Sequence, residues 1–251
     1  MGSICRPRPG AGRRPLSSEP RLPRDLSWRI LERREIPEVL HREQPDPADR
    51  RLACVCLPLT PAVVIGSAQA ESDFDVGHLA AAGLGLVRRR SGGGAVLVAP
   101  AAQLWLDVFV PSGDPLSEPD AGKSFYWLGE VFARSIAAVL EVPAAPAGIV
   151  VHRGPPRTTA WSKVLCYSGL GAGEVTVGGR KVVGMSQRRD RSGAWIQSMA
   201  MLAGGADSLA ELLTGSEKLR ASARIALSHS GLPAPADILG SLGEAVLSRL
   251  P

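Results

Sequence analysis

A run of three glycines directly after three arginines is the feature that most constrains the fold of this chain. The run reads Arg88-Arg89-Arg90-Ser91-Gly92-Gly93-Gly94. Glycine loses more conformational freedom on folding than any other residue, so a glycine run indicates a backbone that must approach another group closely. Arginines beside such a loop can hold a carboxylate or phosphate with paired N–H donors. The run therefore predicts a loop against an anionic ligand, with an ordinary glycine hairpin as the simpler alternative.

A single lysine about ninety residues further along is the second informative feature. The chain has 29 lysines and arginines, only four of which are lysines, and Lys181 directly follows Gly178-Gly179-Arg180. In a chain so rich in arginine, a lysine at this position indicates a role other than that of a generic positive charge. We expect Lys181 to reach the ligand of the glycine loop if the fold brings the two together; a surface charge is the alternative.

The composition predicts a globular cytoplasmic protein that binds neither nucleic acid nor a membrane. An apolar content of 45% in 251 residues suffices for a core, and no run of eighteen apolar residues predicts a membrane helix. The N-terminus lacks the apolar core of a signal peptide, and the four cysteines form no CxxC pair. The histidines show no metal-ligand spacing, so no metal site is predicted.

The net charge of +5 does not indicate a nucleic-acid-binding surface. Residues 1–24 hold six arginines and one glutamate, which alone accounts for the whole excess. The aromatic content of 4% is also too low for platforms that stack on bases. Because residues 1–25 are rich in Arg, Pro, Ser and Gly, we predict that they form a disordered basic tail before one domain at residues 26–251.

The hydrophobic pattern alternates between strands and helices along that domain. Strands are expected at 52–57, 62–65, 84–89, 95–98, 103–110, 149–152, 164–167, 174–177, 180–185 and 194–201. Helices are expected at 27–40, 74–82, 121–140, 208–226 and 236–250. The pattern predicts a mixed α/β (α+β) fold in which helices cover a largely antiparallel sheet.

Three blocks of the sequence occur in a characteristic order: Val63–Gln69, Arg89–Val96 and Gly179–Arg188. Together they resemble the catalytic domain of the biotin/lipoate protein ligase family, and most closely its lipoate–protein ligase and octanoyl transferase branch. The resemblance extends from about residue 26 to residue 250. It implies that family's catalytic-domain fold for residues 26–251.

The resemblance also implies a set of site residues. Ser91, Gly92, Gly93 and Gly94 would line a tunnel for an acyl chain, and Arg89 and Arg90 would face the acid carboxylate or a nucleotide phosphate. Lys181 would be the family's essential lysine. Gln69, Gly184 and Gln187 would complete the binding site.

The resemblance implies two enzymatic functions, of which the ligase is the primary expectation and the transferase the alternative. In the first, a ligase attaches lipoate or octanoate to a lysine of a lipoyl carrier domain (of an E2 or H-protein) through an acyl-adenylate, with ATP and Mg as cofactors. In the second, an octanoyl transferase takes its acyl group from an octanoyl carrier protein through a thioester on Cys166, with no cofactor. Biotin ligation is a weaker alternative. For Cys166 itself, a buried structural thiol is the simpler interpretation.

A non-catalytic protein that binds an acyl ligand or a lipoyl domain is a third possibility. After Val96 the family shows a histidine or aromatic residue, an aspartate and Gly-Asn, whereas here residues 97–102 are Leu-Val-Ala-Pro-Ala-Ala. The histidine that often follows Gln197 in the family is replaced by Ser198. These substitutions put contacts to a metal or nucleotide in doubt.

Overall fold

A computed structural model describes residues 26–48, 50–142 and 148–251. Within these residues, ten strands form two sheets. Their bounds are β1 Trp28–Glu35, β2 Arg51–Pro58, β3 Ala62–Ile65, β4 Gly85–Arg88, β5 Val96–Val98, β6 Gln103–Pro111, β7 Ile149–Val151, β8 Val175–Val177, β9 Arg180–Arg189 and β10 Gly193–Met201. The predicted disordered tail at 1–25 lies outside the described residues.

The large sheet has the strand order β1-β2-β6-β10-β9-β8-β7, and the small sheet has the order β4-β3-β5. In the large sheet only the β1–β2 pair is parallel. The helices are α1 Pro37–Arg42, α2 Val76–Ala81, α3 Tyr126–Val139, α4 Glu217–Leu227 and α5 Ile238–Leu247, with 3-10 turns at Glu71–Asp73, Lys123–Phe125, Cys166–Ser168 and Asp207–Leu212. The predicted fold class, a mixed and largely antiparallel sheet covered by helices, is confirmed.

The central strand β6 is buried along its whole length because both faces of the large sheet are covered. Side chains alternate between the faces. Leu106 and Val108 face α3 and α5, whereas Trp105 packs towards the small sheet. None of the helices in the described residues is both long and apolar enough to cross a membrane.

The register of the large sheet aligns side chains from four strands in rows on the face towards the small sheet. One row is polar and consists of Cys54, Asp107, Gln197 and Ser186. The next row consists of Cys56, Trp105, Met199 and Gly184. Five residues of these rows line the cavity described below: Trp105, Gly184, Ser186, Gln197 and Met199.

The predicted helix at 27–40 is wrong over most of its length. Residues Trp28–Glu35 form β1, which pairs with β2 over eight residues. Non-local strand pairing outweighs the helix-like spacing of the apolar residues, which is ambiguous in so short a segment. The helix begins only after Ile36, with Pro37 at the first position, where the missing N–H costs no hydrogen bond.

Two further elements differ from their prediction. The segment 164–167 is not a strand but leads into the turn Cys166–Ser168, with a single bridge from Leu165 to Ala95. The predicted helix at 208–226 is two elements, because Gly215 has a φ of +120° and Ser216 caps α4 through the N–H of Leu219. The other predicted strands and helices are present with ends shifted by a few residues.

Candidate active site

The glycine loop is pressed between two other segments of the chain. A Cβ on Gly66 would lie 1.9 Å from the carbonyl oxygen of Gly93, and a Cβ on Gly94 would lie 2.7 Å from the nitrogen of Leu165. The N–H of Cys166 donates to the carbonyl of Ala95 at 2.9 Å. The glycines therefore lie close against neighbouring backbone, which brings the first block and the Cys166 turn against the loop, whereas the approach of the loop to a ligand stays a prediction.

Arg89 holds the glycine loop in shape from inside. It is buried, and its Nη2 donates to the carbonyls of Gly92 and Gly94, both at 2.8 Å, while Nη1 donates to the carbonyl of Val64 at 3.3 Å. Burial lowers the pKa of Arg89, and the charge of Cys166 partly opposes that shift. Arg90, in contrast, is exposed and lines a surface cleft with Arg88 rather than the inner cavity.

Gln69 and Gln187 brace the backbone around the site. Gln69 donates through Nε2 to the carbonyl of Val164 at 3.0 Å and accepts from the N–H of Gly66 at 3.3 Å. Gln187 donates to the carbonyl of Ala121 at 2.6 Å and so ties β9 to the turn before α3. Neither side chain lines the cavity described below, in contrast to Gly184.

Lys181 is buried beside Cys166. Its Nζ donates to the carbonyl of Cys166 at 2.8 Å, pairs with Oε2 of Glu174 at 2.6 Å and lies 5.1 Å from the centre of the Tyr167 ring. Burial lowers the pKa of Lys181, but the charges of Glu174 and Cys166 outweigh burial, so the net pKa is raised. Lys181 is therefore an ammonium ion at neutral pH, held within electrostatic reach of the thiol.

Sequence reasoning missed Glu174. Its buried carboxylate also accepts from the N–H of Gly171 at 2.6 Å and the N–H of Met185 at 3.0 Å. These bonds fix the carboxylate that neutralises Lys181. The available signal was a single acidic residue in an otherwise uncharged stretch, Ser168–Gly179.

A narrow, mostly apolar cavity of about 40 Å³ lies where the three blocks meet. Its wall is formed by His41, Arg89, Val96, Trp105, Cys166, Tyr167, Gly184, Met185, Ser186, Gln197, Ser198 and Met199. Cys166 is half-buried on this wall. The cavity is far smaller than the roughly 300 Å³ of a usual ligand pocket, and the flexible side chains of Met185 and Met199 are the wall elements best able to repack around a chain.

A buried hydrogen-bond network closes one end of the cavity. Ser91 Oγ donates to Gln197 Oε1 at 2.7 Å and lies 2.9 Å from Ser186 Oγ. Gln197 Nε2 is 3.3 Å from Asp107 Oδ2, and Trp105 Nε1 donates to Asp107 Oδ1 at 2.6 Å. Burial raises the pKa of Asp107 to about 6, against the opposing effect of these hydrogen bonds.

His41 of α1 completes this network and was also missed from the sequence. Its ring lies 4.5 Å from that of Trp105, and its Nδ1 is 3.3 Å from Gln197 Nε2. Burial, together with the charge of Arg89, lowers the pKa of His41 to about 3. In the part of the chain that the structure describes, no three His, Cys, Asp or Glu side chains are placed to hold a metal ion.

Comparison with known proteins agrees with this arrangement. The profile of the lipoyl protein ligase A/B catalytic domain matches residues 31–233. The chain belongs to this family. All three sequence blocks, Cys166 and the residues of the cavity wall fall inside the matched range.

One curated relative is the octanoyltransferase LipM of Moorella thermoacetica, which is 34% identical over 157 residues. The match covers 61% of this chain and 54% of that protein, so this chain spans about half the length of its relative.

Solved structures share the fold at low identity. The bipartite lipoate protein ligase of Thermoplasma acidophilum, described with its E2 lipoyl domain, has a TM-score of 0.61 at 17% identity, covering 88% of this chain and 82% of that one. A lipoate-protein ligase A bound with ATP has a TM-score of 0.55 at 16% identity, covering 89% and 95%. These similarities support the lipoate ligase type of catalytic-domain fold.

Proposed function

We propose that this chain is an octanoyl transferase that carries the acyl group on Cys166 and delivers it to a lysine of a lipoyl carrier domain of an E2 or H-protein. The observation that carries the proposal is the position of Cys166 on the cavity wall, next to the buried ammonium group of Lys181. The similarity to an octanoyltransferase supports the same assignment.

The proposed reaction has two balanced steps. The thiol of Cys166 attacks the thioester carbonyl of an octanoyl carrier protein, forms a new thioester and releases the carrier thiol. The amine of the target lysine then attacks the Cys166 thioester, forms an amide and returns the thiol. Splitting acyl transfer in this way replaces one difficult step with two easier ones.

The buried charges fit this chemistry. Lys181 donates to the carbonyl of Cys166 and Arg89 holds the adjacent glycine loop, so two buried cations lie close to the Cys166 turn, where negative charge develops during attack. Glu174 and the Cys166 carbonyl hold the ammonium group of Lys181 in place. Its charge therefore needs no rearrangement when negative charge develops on the oxygen of the attacked thioester carbonyl. Arg89 contributes indirectly, because its hydrogen bonds to the carbonyls of Gly92 and Gly94 fix the shape of the glycine loop.

An ATP-dependent ligase that uses lipoate or octanoate is the second candidate. It is favoured by the fold shared with a lipoate-protein ligase A that binds ATP. ATP with Mg would supply activation of the acid as an adenylate. The arginines fit this group less well, because Arg89 directs its donors to backbone carbonyls, which leaves Arg90, of these two residues, to meet a phosphate. For this reason we prefer the transferase to the ligase.

Intact-mass spectrometry after two incubations separates these functions. One incubation contains octanoyl carrier protein, and the other contains lipoate, ATP, Mg and an apo lipoyl domain. An octanoyl adduct of the enzyme that is absent in Cys166→Ala and kept in Cys54→Ala supports the transferase. The buried Cys54 is a suitable control because it does not line the cavity.

The remaining outcomes assign the alternatives. Lipoylation of the acceptor that requires ATP and persists in Cys166→Ala would replace the transferase with the ligase. No adduct and no modified acceptor in either incubation would favour a protein that only binds the acyl group or the lipoyl domain.

A further inference from the structure

Cys166 and a buried polar network both border the cavity. Tyr167, next to Cys166 in the sequence, donates its hydroxyl to the carbonyl of Met199 at 2.6 Å and packs against Gly184, which anchors the Cys166 turn on the Met199–Gly184 row. The Gln197–Ser186 pair lies two residues further along both strands, which corresponds to about 7 Å at the usual rise of a β-strand. An acyl chain on Cys166 that follows these two rows ends at the buried network.

Hydrogen bonds around Gln197 determine which nitrogen of His41 carries the proton. Gln197 accepts from Ser91 through Oε1, so its amide nitrogen is the atom that faces Asp107 Oδ2 and His41 Nδ1, each at 3.3 Å. Because an amide nitrogen only donates, Nδ1 of His41 accepts. In the neutral ring the proton then resides on Nε2.

The Nε2 atom of His41 is buried and has no hydrogen-bond partner among the described residues. The side chain is more than nine-tenths buried, with 8% of the residue exposed, and it lines the cavity. A buried donor without a partner is costly, and such groups in native proteins usually meet a ligand or a water molecule. The cavity wall therefore includes an imidazole whose N–H is satisfied by nothing in the described chain.

We propose that His41 selects the acyl group by donating a hydrogen bond from Nε2 to an acceptor atom near the far end of the chain. The cavity would then prefer medium-chain acyl groups that carry an oxygen or sulfur atom there over plain hydrocarbon chains of the same length. This inference rests on the proposed function, because it assumes that the cavity holds the acyl chain. A site built around a polar contact discriminates strongly against an analogue that lacks the partner atom.

Competing acylation by two thioesters tests the preference. The octanoyl and 7-oxooctanoyl thioesters of N-acetylcysteamine have equal chain length and differ in one acceptor oxygen. We expect the wild-type enzyme to be acylated about tenfold faster by the oxo chain, in line with the cost of one unpaired buried donor. His41→Phe should remove the preference, and His41→Gln, which offers an amide N–H near the position of Nε2, should restore part of it.

His229→Phe is the matched control, because it makes the same change at an exposed histidine outside the cavity wall and should leave the preference intact. Equal rates for the two thioesters in wild type would overturn the inference, which is also the result expected if a water molecule satisfies His41. A preference that is unchanged in His41→Phe would overturn it as well.

Failure of the proposed function is distinguishable from failure of this inference. If neither thioester acylates the enzyme, the proposed transferase is wrong, and the dissociation constants of free octanoate and 7-oxooctanoate from titration calorimetry decide the selectivity instead. A preference for the oxo acid that is lost in His41→Phe supports the inference, and equal affinities or no binding of either acid overturn it.

Discussion

Glu174 holds the ammonium group of Lys181 inside the protein, with Oε2 2.6 Å from Nζ and both side chains about one-twentieth exposed. Glu174→Gln leaves that ammonium buried without its counter-charge. Breaking a buried pair from one side costs about 3 kcal/mol or more of unfolding free energy, because the remaining charge is uncompensated. Urea unfolding at pH 7, followed by circular dichroism, measures the loss.

Glu130→Gln is the control for that variant. Its partner Arg153 lies 2.8 Å away in a largely exposed pair. Exposed pairs contribute about 1 kcal/mol at most, so a Glu174→Gln variant as stable as Glu130→Gln would contradict the importance assigned to the buried pair.

The contact of Gly66 with Gly93 predicts a sharp difference between two glycine substitutions. Gly66→Ala places a Cβ 1.9 Å from a backbone oxygen that cannot move without displacing the glycine loop. We expect a loss of at least about 2 kcal/mol, as for other overpacked sites, and a large loss of Cys166 acylation. Gly92→Ala meets no atom within 4 Å and should change stability by less than about 0.5 kcal/mol. Equal effects in thermal unfolding would contradict the packing argument.

Local patterns in the sequence predicted the parts of the site that depend on local chemistry. The glycine loop needs close packing wherever it lies, and the three blocks do meet beside Cys166. The direction of Arg89 could not be predicted, because an arginine next to a loop can face the ligand or the loop carbonyls equally well. His41 could not be predicted because its role comes from a contact with Gln197 of β10, which is distant in sequence, and Glu174 because its role depends on the turn that folds it back onto Lys181 of β9. For the same reason β1 was predicted as a helix, since its pairing with β2 is not local.

The raised pKa of Asp107 predicts that the stability of the folded protein depends on pH. Burial raises its pKa to about 6 from 3.8. Because the folded protein binds this proton more tightly than the unfolded chain, the stabilisation is complete below pH 3.8 and disappears as the pH rises through 6. Asp107→Asn removes this dependence, so its unfolding free energy relative to wild type should rise by about 3 kcal/mol between pH 3 and pH 8.

Denaturant unfolding of Asp107→Asn and wild type at several pH values provides the test. Asp207→Asn makes the same change at an exposed aspartate and is the control. A difference between Asp107→Asn and wild type that stays constant with pH would show that Asp107 does not titrate in this range.

The lowered pKa of His41 predicts the opposite pH dependence of stability over an overlapping pH range. Burial lowers its pKa to about 3 from 6.5. The unfolded chain therefore takes up the proton first, so the stability is complete above pH 6.5 and is lost as the pH falls towards 3. His41→Phe has no group to protonate, and from pH 8 to pH 4 it should gain about 3 kcal/mol of unfolding free energy relative to wild type.

The exposed His229→Phe is the matched control. If both variants change the acid limb of the stability profile equally, the effect cannot be assigned to the buried imidazole. A gain confined to His41→Phe would establish that the ring on the cavity wall is neutral when the enzyme is folded, which is the state in which Nε2 is a donor and Nδ1 an acceptor.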